Sequence, residues 1–470
     1  MPPWAHCADF GHNGETRPNC LKTYPIYASF ALSNPHLLSI AAVAEPSHRR
    51  RAAFQATYPL VPPQHVFSTW QDLAAHTPRV ADAVAICLLD RHHADAVVAL
   101  AKAGYHVLCE KPMAVSVSDC KRIVAAVEKA GVIFAVCHVL RYSPYNRALK
   151  SLLDSGTIGD IVNIVHIEPV GWWHFAHSYV RGNWAREDNA TFSLMAKSCH
   201  DLDILCHYMG PSHPPRHVHS FGSLTHFRRD RKPAAAGSAT RCTECAHEPD
   251  CPYSAPRLYL NAARQDERGW PASVLQTATT PPSTRPRTPP SPPATPLVTD
   301  DQPALTDIED ALATGPYGVC VYESSNDVCD HQVVNVEFDG GATASFTMVA
   351  FTTEVCERIT RIHGSRGQIV GDSKNLLVTD FATGVTKTVV PAAGIPGVIT
   401  PDGASGHGGG DFGLVERFVK AVADEDQAAI GCTPREALLS HLLVFAAEEA
   451  RRGKKVVNMD DFGGSFAEGG

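Results

Sequence analysis

Apolar and polar positions alternate in blocks along the first 140 residues. Leu38–Glu45 is a short apolar run ending in an acid, which predicts a strand, and Ser47–Tyr58 follows with helical spacing. Ala83–Leu89 is an unbroken apolar run, so a buried strand is expected there. His92–Ala103 reads as a helix stopped by Gly104. His106–Cys109 is a short strand. Ser116–Ala130 has a serine cap at its start and Gly131 at its end, and Val132–Cys137 is again strand-like. Strands alternating with helices of this length predict βαβ units and a parallel sheet covered on both faces.

After residue 140 the period changes. A helix is expected over Pro144–Asp154, a strand over Asp160–Glu168 and a helix over about Phe192–Met209, with an aromatic and polar loop between the last two. Val333–Phe338, the Gly340-Gly341 turn and Ala342–Ala350 read as a β-hairpin. Glu357–His363 and Gln368–Gly371 add strands. The fold class expected is α/β: a Rossmann-like parallel-sheet domain over 1–140, then an α+β domain over 141–462 with a mostly antiparallel open sheet. Residues 277–303 hold nine of the 35 prolines. They read as a disordered insert.

Composition narrows the function. A 470-residue chain, 44% hydrophobic and 19% charged, has ample material for a large core. Its formal net charge of −8 and the absence of a basic block argue against nucleic acid as a partner. No apolar run is long enough to span a membrane. Met1–Phe10 has neither the basic nor the apolar region of a secretory signal. Several of the 15 cysteines sit in apolar runs (Cys87, Cys109, Cys137), as reduced thiols do. The expected compartment is therefore reducing, most simply the cytoplasm.

Glu110-Lys111-Pro112 directly follows a predicted strand, so it lies at the carboxyl edge of the parallel sheet, where doubly wound folds bind ligands. Three residues alone favour an ordinary surface turn. They stand, however, in a series: Asp90-Arg91-His92-His93, then Gly104 to Pro112, then His138-Val139-Leu140-Arg141-Tyr142, then Ser198 to Asp203, then Gly406-His407-Gly408-Gly409-Gly410-Asp411. In that order the chain resembles the Gfo/Idh/MocA family, the glucose–fructose oxidoreductase and inositol dehydrogenase type. The resemblance covers most of residues 24–462 outside the proline-rich insert. It implies NAD or NADP as cofactor and a sugar or cyclitol as substrate, and we add a homo-oligomer through the open sheet. It places Lys111 beside the nicotinamide and makes His200 the general acid/base. A histidine independently suits proton transfer near neutral pH.

The expected cofactor residues are Glu45, Asp90, His93, Glu110, Lys111, Pro112 and Arg141. Many family members carry an acid four residues before the histidine. That position is Ala196 here, and Lys197 is the expected catalytic substitute as a hydrogen-bond donor. The loop with Trp173, His174, His177 and Arg181 suits a sugar, whose apolar ring faces carry a rim of hydroxyls. Packing or an interface explains such a loop equally well. His407 joins the substrate site by resemblance. Cys242, Cys245 and Cys251 have the spacing C-x2-C-x5-C, open to a structural zinc with a histidine such as His247, or to reduced loop thiols.

The N-terminus departs from the pattern. The glycine turn should lie roughly 20 residues before Glu45. No glycine occurs between Gly14 and Gly104, and Gly11 and Gly14 follow no apolar run. The expectation is a Rossmann domain without its first strand and glycine loop, hence weak dinucleotide binding. Three readings stay open: a dehydrogenase, an NAD-dependent glycoside hydrolase of related fold, and a degenerate, non-catalytic binder. Deleting residues 277–303 should leave the melting temperature nearly unchanged, because surface loop length costs little. A large drop would show that the segment packs.

Overall fold

The computed structural model describes residues 3–7, 20–267, 269–275, 304–391, 398–399 and 407–462. The proline-rich segment falls outside them. Along the first stretch run β1 (Pro3–Cys7), α1 (Cys20–Ser33), β2 (Ser39–Ala44), α2 (His48–Thr57), β3 (Val66–Phe67), α3 (Trp70–Ala75), β4 (Ala83–Ile86), α4 (His93–Lys102), β5 (His106–Cys109), α5 (Val117–Ala130) and β6 (Phe134–Val136). Local signals set these elements. Ser47 caps α2 and Ser116 caps α5, accepting from the Asp119 amide at 3.1 Å. Gly131 closes α5 at φ +64°, a left-handed position that suits glycine. β4 and the end of β5 are fully buried, as their apolar runs require.

The six strands stand in the order β3-β2-β1-β4-β5-β6, and every neighbouring pair is parallel. That is the dinucleotide-binding order, with the switch of direction between β1 and β4. It corrects the expectation that the first strand is missing. Pro3–Cys7 is that strand, paired with β2 on one side and β4 on the other. Its two apolar neighbours in the sheet recruit a segment whose own sequence, Pro-Trp-Ala-His-Cys, shows no strand pattern. Gly11 and Gly14 therefore belong to the β1–α1 connection, which lies outside the described residues.

The second stretch holds α6 (Pro144–Asp154), β7 (Ile161–Pro169), α7 (Trp172–Phe175), α8 (Ser193–Met209), β8 (Pro215–Ser223), α9 (Ala262–Arg264), α10 (Leu305–Thr314), β9 (His331–Phe338), β10 (Thr343–Val349), β11 (Ile359–Gly364), β12 (Gly367–Gly371), β13 (Leu376–Asp380), β14 (Thr386–Val389), α11 (Gly410–Asp424), α12 (Pro434–Gly453) and β15 (Val457–Asn458). Nine strands form one sheet in the order β14-β13-β12-β11-β7-β10-β9-β8-β15. Only β7 and β10 pair in parallel. Side chains alternate across it with period two. Ile164, His166 and Glu168 of β7 face inward and are buried, as are Val334 and Val336 of β9. α8 and α12 cover this inner face. On the outer face a cross-strand row runs Phe221, Val333, Thr347, Ile167, Ile359, with Phe221 and Ile359 exposed.

The two sheets meet through α11 and α12. α12 packs on α5 and β6 of the first sheet as well as on β8. α11 lies on the turn Val139–Tyr142, close enough that a Cβ on Gly410 would stand 2.3 Å from the Val139 oxygen and one on Gly413 2.5 Å from the Tyr142 oxygen. Both neighbours are backbone and cannot swing aside. Gly413→Ala should therefore destabilise the chain by about 2–3 kcal/mol. A thermal or urea melt that matched wild type would reject this packing.

Candidate functional site

Lys111 joins the carboxyl edge of the six-stranded sheet to α8. Lys111 leaves β5 through a cis Lys111-Pro112 bond. Its ammonium donates to the Ala196 carbonyl on α8 at 2.6 Å and lies 5.3 Å from the centre of the Trp184 ring. Trp184 in turn donates to Asp90 at 3.1 Å. Glu110 accepts from the Tyr27 hydroxyl at 2.6 Å, and burial pushes its carboxyl upward.

His200 is buried on α8. Its Nδ1 has no hydrogen-bond partner among the described residues. Burial pulls its pKa well below the ordinary histidine value, and the charges of Lys111, His407, His138 and Arg358 pull the same way. Lys111 and His200 thus stand in one region, a cation beside a neutral imidazole. The His407 ring centre lies 5.7 Å from that of His200. His138 stands 5.9 Å away on the other side and stacks on His441 at 5.0 Å.

The other charges of α8 are committed to structure. Asp203 takes a two-point contact from Arg141, at 2.6 and 2.7 Å, and lies 2.9 Å from His138. Asp201 meets Arg358 at 3.0 Å and His166 at 3.2 Å. Lys197 sits 3.0 Å from Glu168 and donates to Cys356 Sγ at 2.9 Å. Burial disfavours its charge, but Cys356 and Glu168 outweigh burial and hold the ammonium above its usual range. Glu168 also lies 2.6 Å from Arg358.

These contacts revise several expectations. Arg141 gives its Nε and Nη2 to Asp203, and its Nη1 lies 3.5 Å from His207 Nδ1, so it is turned toward α8. His93 sets both ring nitrogens against carbonyls, Pro112 at 2.8 Å and Leu88 at 3.1 Å, and so clamps the Glu110-Lys111-Pro112 turn to the end of β4. Lys197 lies one residue beyond the missing acid, about 100° round the helix. It reaches Glu168 and Cys356 instead. His177 meets the Tyr259 hydroxyl at 2.8 Å inside the protein. Arg181 is buried, donating to Val319 O and Tyr253 O at 2.8 Å. Trp173 packs on Trp270 at 5.1 Å, while His174 contacts Trp270 at 4.9 Å and Cys356 Sγ at 3.5 Å. Glu45 ends β2, buried, accepting from the Ser47 amide at 2.7 Å.

Cys356, Arg358 and Trp270 were not singled out in the sequence. Cys356 stands at φ +60° in an ordinary-looking strand entry, and nothing local marks it.

Residues 26–138 match the family model described as oxidoreductase family, NAD-binding Rossmann fold. They are a Gfo/Idh/MocA Rossmann domain. The chain is 24% identical over 290 residues to YteT of Bacillus subtilis, a protein named for oxidoreductase activity, covering 61% of this chain and 59% of that one. It is 37% identical over 78 residues to myo-inositol 2-dehydrogenase of Thermotoga maritima, covering 17% and 23%. The chain thus spans less than two thirds of the length of these relatives. Among solved structures, levoglucosan dehydrogenase in complex with NADH and L-sorbose superposes with a TM-score of 0.64 at 16% identity, covering 98% and 99% of the two chains. An oxidoreductase domain protein from Kribbella flavida gives the same score and identity over the same shares. Both likenesses concern the fold.

A cysteine-lined pocket lies outside those residues, far along the chain. Cys242, Cys245, Cys251 and Cys320 line it together with Arg181 and His247. Arg181 donates to Cys242 Sγ at 3.4 Å, so a fixed cation stands among the sulfurs. Among the described residues no group of three or more His, Cys, Asp or Glu side chains is arranged to hold a metal ion, and the zinc expectation finds no support. Nor is any described helix long and apolar enough to cross a membrane.

Burial holds three histidines of this region below their ordinary value: His200, His207 at about 4 and His441 at about 3. Unfolded, each takes a proton near pH 6.5. The stability they contribute is complete above that pH and is lost as pH falls toward the folded values, at about 1.4 kcal/mol per unit for each. Glu110, raised by burial, opposes this. The melting temperature should fall steadily from pH 7 to pH 5. A flat profile over that range would rule it out.

Proposed function

We propose that the chain is an NAD-dependent oxidoreductase acting on a secondary hydroxyl of a sugar or cyclitol. The observation that carries this reading is the meeting of Lys111 and His200 at the carboxyl edge of the parallel sheet, a fixed cation beside a histidine held neutral. The family match over residues 26–138 and the named relatives that act on inositol support the same reading.

The residues present fit a dinucleotide. The strand order leaves its crevice between β1 and β4, with Glu45 at the end of β2, Asp90 beyond β4 and Glu110 after β5. Glu45 would hold the adenosine ribose hydroxyls. Arg51 is spent on the carbonyls of Glu45 and Pro46, and a carboxylate repels a 2′-phosphate, so NAD is favoured over NADP. The bound nicotinamide supplies the hydride acceptor.

In the chain itself, Lys111 orients the substrate hydroxyl and stabilises the oxyanion as it forms. His200, neutral at working pH, accepts the hydroxyl proton. Trp184 and His93 keep Lys111 aimed: one lies under its ammonium, the other anchors its turn. His174, Trp173 and Trp270 offer ring faces to the sugar. A second copy would pack on the outer sheet face, where Phe221 and Ile359 are exposed.

The test is calorimetry with NAD and NADP, followed by NADH formation across a panel of cyclitols and pyranoses. NAD should bind more tightly, and Lys111→Ala should lower kcat about 10²–10³-fold with an unchanged melting curve. An unaltered kcat in that variant would remove Lys111 from the mechanism. Release of a monosaccharide without net NADH would replace the reading by glycoside cleavage.

A further inference from the structure

The dehydrogenase reading, on which this inference rests, leaves a proton on a buried imidazole. His200 is only 4% exposed, and its Nδ1 has no partner among the described residues. The proton must leave before the next turnover.

The inward direction ends inside the protein: His138 is 2% exposed and His441 behind it is fully buried, so a proton passed that way does not reach solvent. His138 lies next to His200, but Asp203 beside it is already held by Arg141. Behind His138, His441 is saturated: its Nε2 accepts from the Met113 amide at 2.8 Å and its Nδ1 faces the Ala437 carbonyl at 2.7 Å. Burial holds it neutral, at about 3. Neither ring nitrogen of His441 is open to take a proton.

The outward direction is built differently. The side chain of His407 is 43% exposed, and its Nδ1 lies 3.0 Å from the buried carboxylate of Asp411. That contact fixes Nδ1 as the protonated nitrogen and leaves Nε2 as the acceptor. Three consecutive residues hold the ring there in the left-handed region, His407 at φ +49°, Gly408 at +61° and Gly409 at +91°. Glycine enters that region freely; histidine does so rarely, and local strain of this kind clusters at functional sites. The charged and titratable groups facing His200 come from every neighbouring element: Lys111 after β5, His138 after β6, Arg358 before β11 and His407 before α11. Lys111 and Arg358 repel a proton on His200. Asp201 and Asp203, on α8 itself, are paired away from it.

We infer that the His407–Asp411 pair is the proton outlet of His200. The substrate hydroxyl loses its proton to the His200 imidazole. That proton passes to Nε2 of His407, directly or through one water, and the imidazolium formed is held by Asp411. Nε2 then releases the proton to solvent, and both rings return to neutral. No electrons move in this relay, and each proton taken up is given back. His407 acts here through His200, as a positioning and relay residue.

Two measurements on the full chain test it. Asparagine tolerates the left-handed backbone, so His407→Asn should fold, while removing the basic ring nitrogen that takes up the proton. By nitrogen-15 NMR of the histidine rings, with His200→Gln used for assignment, exchange of the His200 ring proton with water should slow tenfold or more. Added imidazole should restore it. This readout needs no turnover, so it separates the relay from the dehydrogenase reading. In steady state, kcat should fall tenfold or more in dilute buffer and recover with imidazole concentration, with KM within about twofold. Asp411→Asn should slow the same exchange and shift the pH profile of kcat. Unchanged His200 exchange in both variants overturns the outlet. So does a raised KM with normal kcat, which would make His407 a substrate contact only.

Discussion

Among its ionisable side chains α8 carries Lys197, His200, Asp201 and Asp203 into a space buried on nearly every side. A buried charge without a partner costs several kcal/mol, so the surrounding structure is arranged to supply one for each. Arg141 arrives from the end of the six-stranded sheet, Arg358 and His166 from the nine-stranded sheet, and Glu168 from β7. The pairing cross-links the two sheets through one helix. His200 is the exception. Among the described residues it has no ion pair, and the cation Lys111 stands near it, so its neutral form is favoured. The proposed chemistry is located where the pairing stops.

This accounts for the departure at Ala196. A carboxylate there would sit one turn from His200, and an ionised His200–acid pair would result. The main-chain carbonyl of Ala196 receives Lys111, and with no carboxylate on that residue His200 Nδ1 has no hydrogen-bond partner among the described residues. Lys197 does not replace the acid, because the helix turns it toward Glu168 and Cys356. The orientation of His200 therefore rests on packing and on the neighbouring rings of His138 and His407.

The glycine run before α11 has a similar logic. Gly409, Gly410 and Gly413 lie against Pro144, the Val139 carbonyl and the Tyr142 carbonyl. Close backbone approach docks α11 on the end of the first sheet, and the same run turns His407 toward His200. One stretch of small residues thus serves both the joint between sheets and the placement of a ring.

Much was legible in the chain. Helix α5, with Ser116 and Gly131 at its ends, follows from capping residues and apolar spacing, and so do α6 and the β9–β10 hairpin, because those signals are local. Lys111 and His200 were legible through motifs kept in order. β1 was not: Pro3–Cys7 lacks an apolar run and is a strand because β2 and β4 flank it with unpaired backbone. Nor could the sequence separate cofactor residues from framework. Arg141, His93 and Arg181 look like binding residues by type, and each is consumed by a partner at least 19 residues away. Cys356 and Arg358 entered the site only through a sheet register joining β7 to β11. Spacing along a chain determines helices, strands and turns; which charges meet across 100 or more residues is decided by burial, which leaves no polar group unpaired without cost.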